Sequence, residues 1–562
     1  MIDITALANV GGGPLKTGYD ALERGAWDEA RIHFQTALAA NETPQALEGL
    51  GLALWWLNEL DSIFDIRERA YLLYRARGDM RSAGRIALWL GWDFLGIRGQ
   101  IAVANGWLQR AHSLLDGLEY CSEQGWLALR EAENAILFED DTSTTLKLAG
   151  RGVEIGRALG LIDLEMFGLA LQGFALVSEG KVDEGMRCLD EATTAATGGE
   201  ISNRTAIGST CCCLIFACER VLDYDRALEW CERLQDYCER TGYVPLLGVC
   251  RSHYAGILIW AGAWEKAESE LAQATLALQS TRPAFLAEAV VRMGFLRFQQ
   301  GRLDEAVSLF EQVLYFPPAQ VGMGRLALDL GEPETALDHA ARYLRHVPLE
   351  NRTERVAGLE LMAKACLALG DFTQAQRSLD ELIEIAGRIG SGPLVAIANL
   401  TAGLAAAAHN DHESARTLLE DAADMFGHSG APYEMGQAQI TLARSLEALG
   451  RVPAAERETR AALLVFTELG ANRQVALAES LLRHLRQLLK IQPAQVLERP
   501  GLSPRQAEVL RLIAQGLNDQ EIATQLVLSQ HTVHRHVTNI LSRLSVPSRS
   551  AAVAYAAREG LL

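Results

Sequence analysis

Residues 502–562 read LSPRQAEVLRLIAQGLNDQEIATQLVLSQHTVHRHVTNILSRLSVPSRSAAVAYAAREGLL, and local rules divide the stretch into four short helices. Ser503 is an N-cap, Pro504 fits the first helical position and Gln506 closes a capping box. Leu510, Ile513 and Ala514 then fall at helical spacing, and Gly516 is a stop. Asn518 with Glu521 three residues later opens a second helix that carries Ile522, Ala523 and Leu526 inward. After the short turn Val527-Leu528, Ser529 caps a third helix. Pro547 breaks it, and Ser548 caps a fourth.

Two short helices joined by so brief a turn fit a helix-turn-helix. At roughly 100° per residue, Val533, Val537, Ile540, Leu541 and Leu544 form one stripe of the third helix. His531, Arg535, Thr538, Asn539 and Ser542 fall on the other side, with His534 and His536 at opposite edges. That outward face holds short polar groups and a guanidinium but no carboxylate. An acid there repels phosphates, whereas Arg, Asn, His and Thr bond to phosphate oxygens or base edges.

The segment resembles the C-terminal DNA-binding domain of LuxR-type transcription regulators. The resemblance rests on Leu502-Ser503-Pro504-Arg505, Glu508-Val509-Leu510, Gly516-Leu517, Glu521-Ile522-Ala523, Leu528-Ser529, Thr532-Val533, His536-Val537, Asn539-Ile540, Leu544 and Ser548-Arg549. It implies four helices whose third enters the major groove of double-stranded DNA, usually as a homodimer. Carried over by position, His534, Arg535 and Thr538 would face base edges. Arg505, His531, Thr532, Asn539 and Arg549 would touch the DNA backbone. The family usually has Lys after Thr-Val; here it is His534, which weakens one electrostatic contact. His536 fits packing, a phosphate contact or base reading.

Upstream, from Asp20, the chain repeats a phrase: small apolar residues, a Gly or turn, an acid, then Ala. LERGAWDEA ends at Ala30, LDYDRA at Ala227, WAGAWEKA at Ala267, QQGRLDEA at Ala306, LGEPETA at Ala336, LGDFTQA at Ala375, HNDHESA at Ala415 and LGRVPAA at Ala455. SEGKVDEG, ending at Gly185, is a variant. From Gly185 onward the step is close to forty residues, except for thirty between Ala306 and Ala336. Before it the register blurs, with Ala70 and Ala111 about forty apart. Each phrase reads as two helices meeting at a tight turn. The acid favours the second helix's N-terminus, and the Ala admits the first helix closely. One pair cannot bury its own apolar face, so pairs must stack. The fold class is therefore all-α: an α-solenoid of eleven or twelve helix pairs, which resembles the tetratricopeptide class with longer repeats, then a small helix-turn-helix domain. Such long repeats resemble those of the large maltose-activator-type LuxR regulators. Their nucleotide-switch domain is missing here, and the sequence ahead of the repeats is too short for a receiver domain, so neither trigger is expected.

Composition agrees with an all-helical reading and narrows the function. Hydrophobic residues make up 49% of the 562, aromatics only 7%, and there are 49 Gly, which suits close-packed helices. The net charge of −19 does not advertise nucleic-acid binding. It is uneven: 501–562 hold six Lys/Arg and four Asp/Glu, about +2, which leaves −21 for the rest. Weak nonspecific DNA binding by one copy follows, and a dimer doubles the contacts. The acidic body either repels DNA or covers the tail. With no signal peptide and no long apolar run, a cytoplasmic chain with no membrane span and ten reduced thiols is expected.

Three local features carry alternatives. GGGPLKT, residues 11–17, imitates a phosphate loop but has Leu15 where Gly must precede Lys, so a flexible leader over 1–17 is the better reading. Trp27, Trp55, Trp56, Trp89, Trp92, Trp107 and Trp126 either line a pocket for an apolar or aromatic effector or pack as core. Cys211, Cys212, Cys213, Cys218, Cys231, Cys238 and Cys250 either pack as small residues or form a redox or metal sensor. No C-x-x-C pair supports zinc, and no metal or other cofactor is expected. No catalytic constellation is visible, so the chain reads as a regulator rather than an enzyme.

The expected organisation is a leader over 1–17, a solenoid over 18–490, a linker over 491–501 and the DNA-binding domain over 502–562. Val475 to Leu489 either caps the solenoid or forms a stalk, and it offers a dimer contact because Leu477, Leu481, Leu482, Leu485, Leu488 and Leu489 exceed one buried face. The solenoid is expected to receive a small molecule or protein and to control dimerisation or release of the C-terminal domain. The rival reading is a protein-interaction scaffold that its C-terminal domain only tethers to DNA.

Overall fold

The structure, a computed structural model, describes residues 13–241, 244–491, 504–526, 528, 530–544, 546 and 548–558. Among these residues are twenty-nine α-helices and no strand. Twenty-five run from Pro14–Arg24 to Asn472–Ile491, making twelve antiparallel pairs and a final single helix. The last four are Pro504–Ala514, Asp519–Leu526, Gln530–Arg543 and Arg549–Arg558.

The small residue of the repeated phrase is always the fourth of a pair's second helix. Ala30, Ala227, Ala267, Ala306, Ala336 and Ala415 occupy that place with no exposed surface. The turn ahead of it needs a left-handed residue, supplied by Gly331 (φ 80°) in one repeat and by Asn410 (φ 61°) in another. The following acid is an N-cap: Asp411 accepts from the Ser414 amide at 3.1 Å, as Asp371 does from that of Gln374. In the early repeats the equivalent residues are Ile66, Ala104 and Thr145, all buried, and not Ala70 or Ala111. The register blurs there because two of these three places hold larger side chains. The thirty-residue step has a local cause too. Leu303–Gln312 is only ten residues long, and Pro317 opens the next helix early.

Neighbouring helices interlock by placing a phenylalanine in glycine notches. Phe310 lies between Gly294 and Gly322, and a Cβ on Gly322 would stand 2.4 Å from its ring. Phe34 lies in the same way between Gly18 and Gly49. The high glycine count thus serves packing as well as turns.

The stack winds into a superhelix whose successive turns touch, so it is neither an open arc nor a ring. Asn351 Nδ2 donates to Asp140 Oδ1 at 2.8 Å, across 211 positions. Arg220 clamps the same junction, 3.0 Å from both Asp140 and Glu354. Trp260 Nε1 donates to the Ser429 carbonyl at 3.0 Å, and Arg473 Nη2 to that of Asp329 at 2.7 Å.

Two boundary expectations change. Pro14 is the first residue of a helix, and Thr17 Oγ1 donates to the Gly13 carbonyl, so 14–17 belong to the solenoid and not to a flexible leader. Residues 1–12 of that leader lie outside the described residues, as does the 491–501 linker apart from Ile491. Asn472–Ile491 packs on the last pair: Leu482 and Leu485 are buried, Leu481, Leu488 and Leu489 half-buried, and only Leu477 is exposed. Leu482 and Leu485 thus cap the last pair, and Leu477 is the exposed leucine of the six.

Candidate nucleic-acid interface

The last four helices have a core of their own. Val509, Leu510, Ile522, Val533, Val537, Ile540, Leu544 and Ala556 form it. The expected inward stripe of the third helix is therefore correct. In the first helix Leu512 is buried where Ala514 was expected, and Ala514 is exposed. Asn518 and Glu521 make a reciprocal capping box, the Asn518 amide to Glu521 at 2.8 Å and the Glu521 amide to Asn518 at 3.0 Å. Ser548 caps the fourth helix through the Ala551 amide. Val527, Ser529 and Ser503 lie outside the described residues. Gln506 accepts from Arg543 at 2.8 Å, tying the first helix to the third.

The candidate DNA-contacting residues divide into three sets. His534 and Thr538 are exposed on the outer face of Gln530–Arg543, as a base-facing role requires, and Asn539 is half-buried beside them. Thr532 is 5% exposed, and Arg505 and Arg549 make bonds within the domain while keeping 28% and 36% of their side chains exposed. Arg505 holds Glu508 and the Leu526 carbonyl, each at 2.8 Å, where it satisfies the end of the second helix. Arg549 bridges Asp519 at 2.5 Å and the Leu517 carbonyl at 3.3 Å. The His531 side chain lies outside the described residues. His536 is half-buried, and burial lowers its pKa, which disfavours its charged form. Asp519, from the preceding helix, also comes within 3.4 Å of His534, so the outer face is less free of acid than the third helix alone indicates.

Arg535 is engaged elsewhere. It forms an ion pair with Asp424, and its Nη1 donates to the Glu420 carbonyl at 3.2 Å. Both acceptors lie on the solenoid helix His412–His428. The reading helix thus lies against Glu420, Asp421, Asp424 and Glu458, with Arg505 and Arg535 on its own side and Arg416 and Arg457 among the acids. Burial and the neighbouring carboxylates push Asp421 up to about 6 and Asp424 to about 7, outweighing the pull of Arg535. Burial likewise raises Glu458.

Comparison with known proteins meets this geometry at the same residues. The family described as "Bacterial regulatory proteins, luxR family" matches residues 500–556. The four-helix unit is a luxR-family domain. Tetratricopeptide repeats match 15–62, 354–427 and 400–473 of the solenoid. The luxR-family domain is similar to transcriptional regulatory protein LnrK of Bacillus subtilis, 43% identical over 60 residues, 11% of this chain and 27% of that protein. It is also similar to response regulator protein VraR of Staphylococcus aureus, 46% identical over 61 residues, 11% of this chain and 29% of that protein. The chain thus spans under a third of the length of either relative. A solved structure, the APC/C hetero-tetramer Cut9-Hcn1, aligns with TM-score 0.49 at 13% identity, over 86% of this chain and 94% of that one.

Sequence reasoning allowed the acidic body to cover the tail but did not place the contact, although a signal existed. Glu413, Glu420, Asp421 and Asp424 recur at helical spacing and put an acidic stripe along one face. Of the other local features, the cysteines pack as small buried residues, whereas Trp27, Trp56, Trp89 and Trp126 line a cavity of the first repeats. Trp55, Trp89 and Trp126 are buried, and the thiols of Cys211, Cys213, Cys218 and Cys231 are raised by burial, which makes them poor nucleophiles. Among the described residues no group of His, Cys, Asp and Glu is arranged to hold a metal, and no helix is long and apolar enough to cross a membrane.

Proposed function

We propose that this chain is a cytoplasmic transcription regulator that binds double-stranded DNA as a homodimer and is held inactive by its own solenoid. The solenoid receives a signal, the luxR-family domain leaves the acidic helix His412–His428, and Gln530–Arg543 enters the major groove. His534, Arg535 and Thr538 then read base edges, and Asn539 and His531 contact phosphates. One observation carries the reading: the guanidinium placed to read a base is paired with Asp424. An acidic stripe offers that cation the same charge that a phosphate or guanine edge offers, so DNA and solenoid compete for one face. The tail's small positive charge supports a need for two copies on the DNA.

The experiment is an anisotropy titration of the full chain and its Asp424→Arg variant, which sets like charges against each other, on duplexes selected from a random pool, at one salt concentration. A released charge-assisted bond raises DNA affinity about tenfold. An affinity that is unchanged or lower sinks the masking mechanism. Binding that is equal on all duplexes would favour the scaffold reading, in which the domain only tethers the repeats.

A further inference from the structure

The first turn of the superhelix closes around the cavity that Trp27, Trp56, Trp89 and Trp126 line, and this space holds about 500 Å³. Both ends of the turn reach it. Glu23 comes from the first helix, and Arg204 opens the helix Arg204–Val221. Arg204 Nη2 donates to the Glu23 carbonyl at 3.5 Å, across 181 positions. Glu23, Gly160 and Ser202 are exposed and give the cavity a mouth to solvent. Its volume and aromatic walls are those of a small-molecule site, with room for two fused rings.

The hydrogen-bonding groups of the cavity are used unequally. Apart from the exposed Glu23, its carboxylate and amide acceptors are engaged. Asp163 accepts from the Ser202 amide and hydroxyl at 2.8 and 2.9 Å, and Asn203 Oδ1 caps the Thr205 and Ala206 amides at 3.0 and 3.2 Å. Two donors remain. Trp89 is 4% exposed, and its buried Nε1 has no acceptor among the described residues. Arg204 is held by the Trp27 ring, 5.1 Å from its guanidinium carbon, and by the one long bond to the Glu23 carbonyl. Among the described residues no carboxylate forms an ion pair with it. The dipole of Arg204–Val221 adds positive charge at the same place.

These two donors end a row of touching rings. Arg204 lies on Trp27, and Trp27 stacks on Trp56 with centroids 4.6 Å apart. Trp56 meets Trp55 at 5.3 Å, and Trp55 meets Trp89 at 6.1 Å. A buried N–H without an acceptor is costly, so an occupant that supplies one is favoured.

We propose, resting on the solenoid's role as receiver of the signal, that this cavity is the effector site and takes a planar aromatic monocarboxylate with a second acceptor at the far end of its rings. The rings pack on the tryptophans, the carboxylate meets the Arg204 fork, and the far acceptor takes the Trp89 N–H. A guanidinium already lies on Trp27, so an organic cation meets like charge there.

The helix that Arg204 opens joins this cavity to the masked domain. At its other end the Val221 carbonyl accepts from Ser391 Oγ at 2.5 Å. Ser391 is the residue just before Gly392–Ala408, the helix paired with His412–His428, which carries Asp424. An occupant that draws Arg204 inward therefore pulls on the pair that holds the reading helix.

The test is calorimetric titration of the full chain with three bicyclic probes. They are quinoline-6-carboxylate, naphthalene-2-carboxylate, which lacks the ring nitrogen, and 6-(hydroxymethyl)quinoline, which lacks the charge. The expected result is one quinoline acid per chain, bound about tenfold tighter than the alcohol and about fivefold tighter than the naphthalene acid. Arg204→Gln should abolish the preference for acid over alcohol, and Trp89→Phe the preference for the ring nitrogen. Retained binding of the alcohol shows that Arg204→Gln is folded. If neither variant folds, the ranking of the three probes by the unaltered chain decides. Equal affinity for acid and alcohol, or binding of none of the probes at millimolar concentration, would overturn the site. Saturation with the quinoline acid should raise DNA affinity, and Ser391→Ala should abolish that rise without abolishing probe binding. Probe binding with DNA affinity unchanged overturns the cavity's effector role. The Asp424→Arg result is read without any probe, so a failed cavity and a failed masking mechanism are separable.

Discussion

Arg535 and Asp424 form an ion pair across 111 positions of sequence, joining the reading helix to the solenoid. Replacing its two members should move DNA binding in opposite directions. Asp424→Arg sets like charges against each other, frees the domain and strengthens binding. Arg535→Ala frees it as well but removes a base contact, costing about 1–3 kcal/mol of discrimination at one base pair. Anisotropy titrations on matched and singly substituted duplexes separate the two. Arg535→Ala with full base discrimination would show that this residue reads nothing.

The same contact should respond to pH. Burial raises Asp421 to about 6 and Asp424 to about 7 where they face Arg535, with Glu420 beside both and Arg505 and Arg416 beside Asp421. Released into water they return toward ordinary carboxylate values of about 4. A pKa raised by docking means that docking takes up protons. Its contribution is complete below about pH 4 and is lost as pH rises through 6 to 7. Energy transfer between a dye on the solenoid and one on the C-terminal domain should therefore fall between pH 5.5 and 8. No change in transfer would mean that the acids titrate independently of docking.

Much of the architecture was legible because its signals are local. Ala306 and Ala415 mark the close approach of two helices within a pair, and the outward His534 and Thr538 follow from helical period alone. Arg505 and Arg549 were read as phosphate contacts because they are cations in a DNA-binding domain. The carbonyls of Leu526 and Leu517 that claim them are tertiary neighbours 21 and 32 positions away. The burial of Thr532 was not legible for a similar reason, since a residue at a helix start can turn into the core. The acidic stripe was visible along His412–His428, but no local rule says what covers a charged face.

The glycine notches give a prediction of opposite signs. Gly322→Ala places a methyl 2.4 Å from the Phe310 ring and should cost about 1–3 kcal/mol. Phe310→Leu should recover part of that loss, because the two sites share one contact. Gly106, inside Ile101–Leu115, has open space around its Cβ direction, so Gly106→Ala should stabilise by about 0.5–1 kcal/mol. Chemical denaturation of the three variants checks this. Destabilisation by Gly106→Ala would contradict the packing described.

The junction between turns gives another. Arg220→Met leaves Asp140 and Glu354 facing each other without a cation. A fully buried broken pair costs about 3–5 kcal/mol. These side chains keep 14%, 19% and 25% exposure, so roughly 2–3 kcal/mol is expected after solvent screening. Small-angle scattering should show a larger radius of gyration as the turns separate. An unchanged radius would mean that the neighbouring contacts suffice.

Repeat proteins ordinarily tolerate gain and loss of whole units, because each unit touches only the next. Here Asp140 meets Asn351 and Trp260 meets Ser429. Inserting one repeat between these partners would carry each past the other by about forty residues and undo both junctions at once. Such a chain can be lengthened or trimmed at its ends, but its interior has a fixed count, and duplication, the usual source of variety in this architecture, is closed to it.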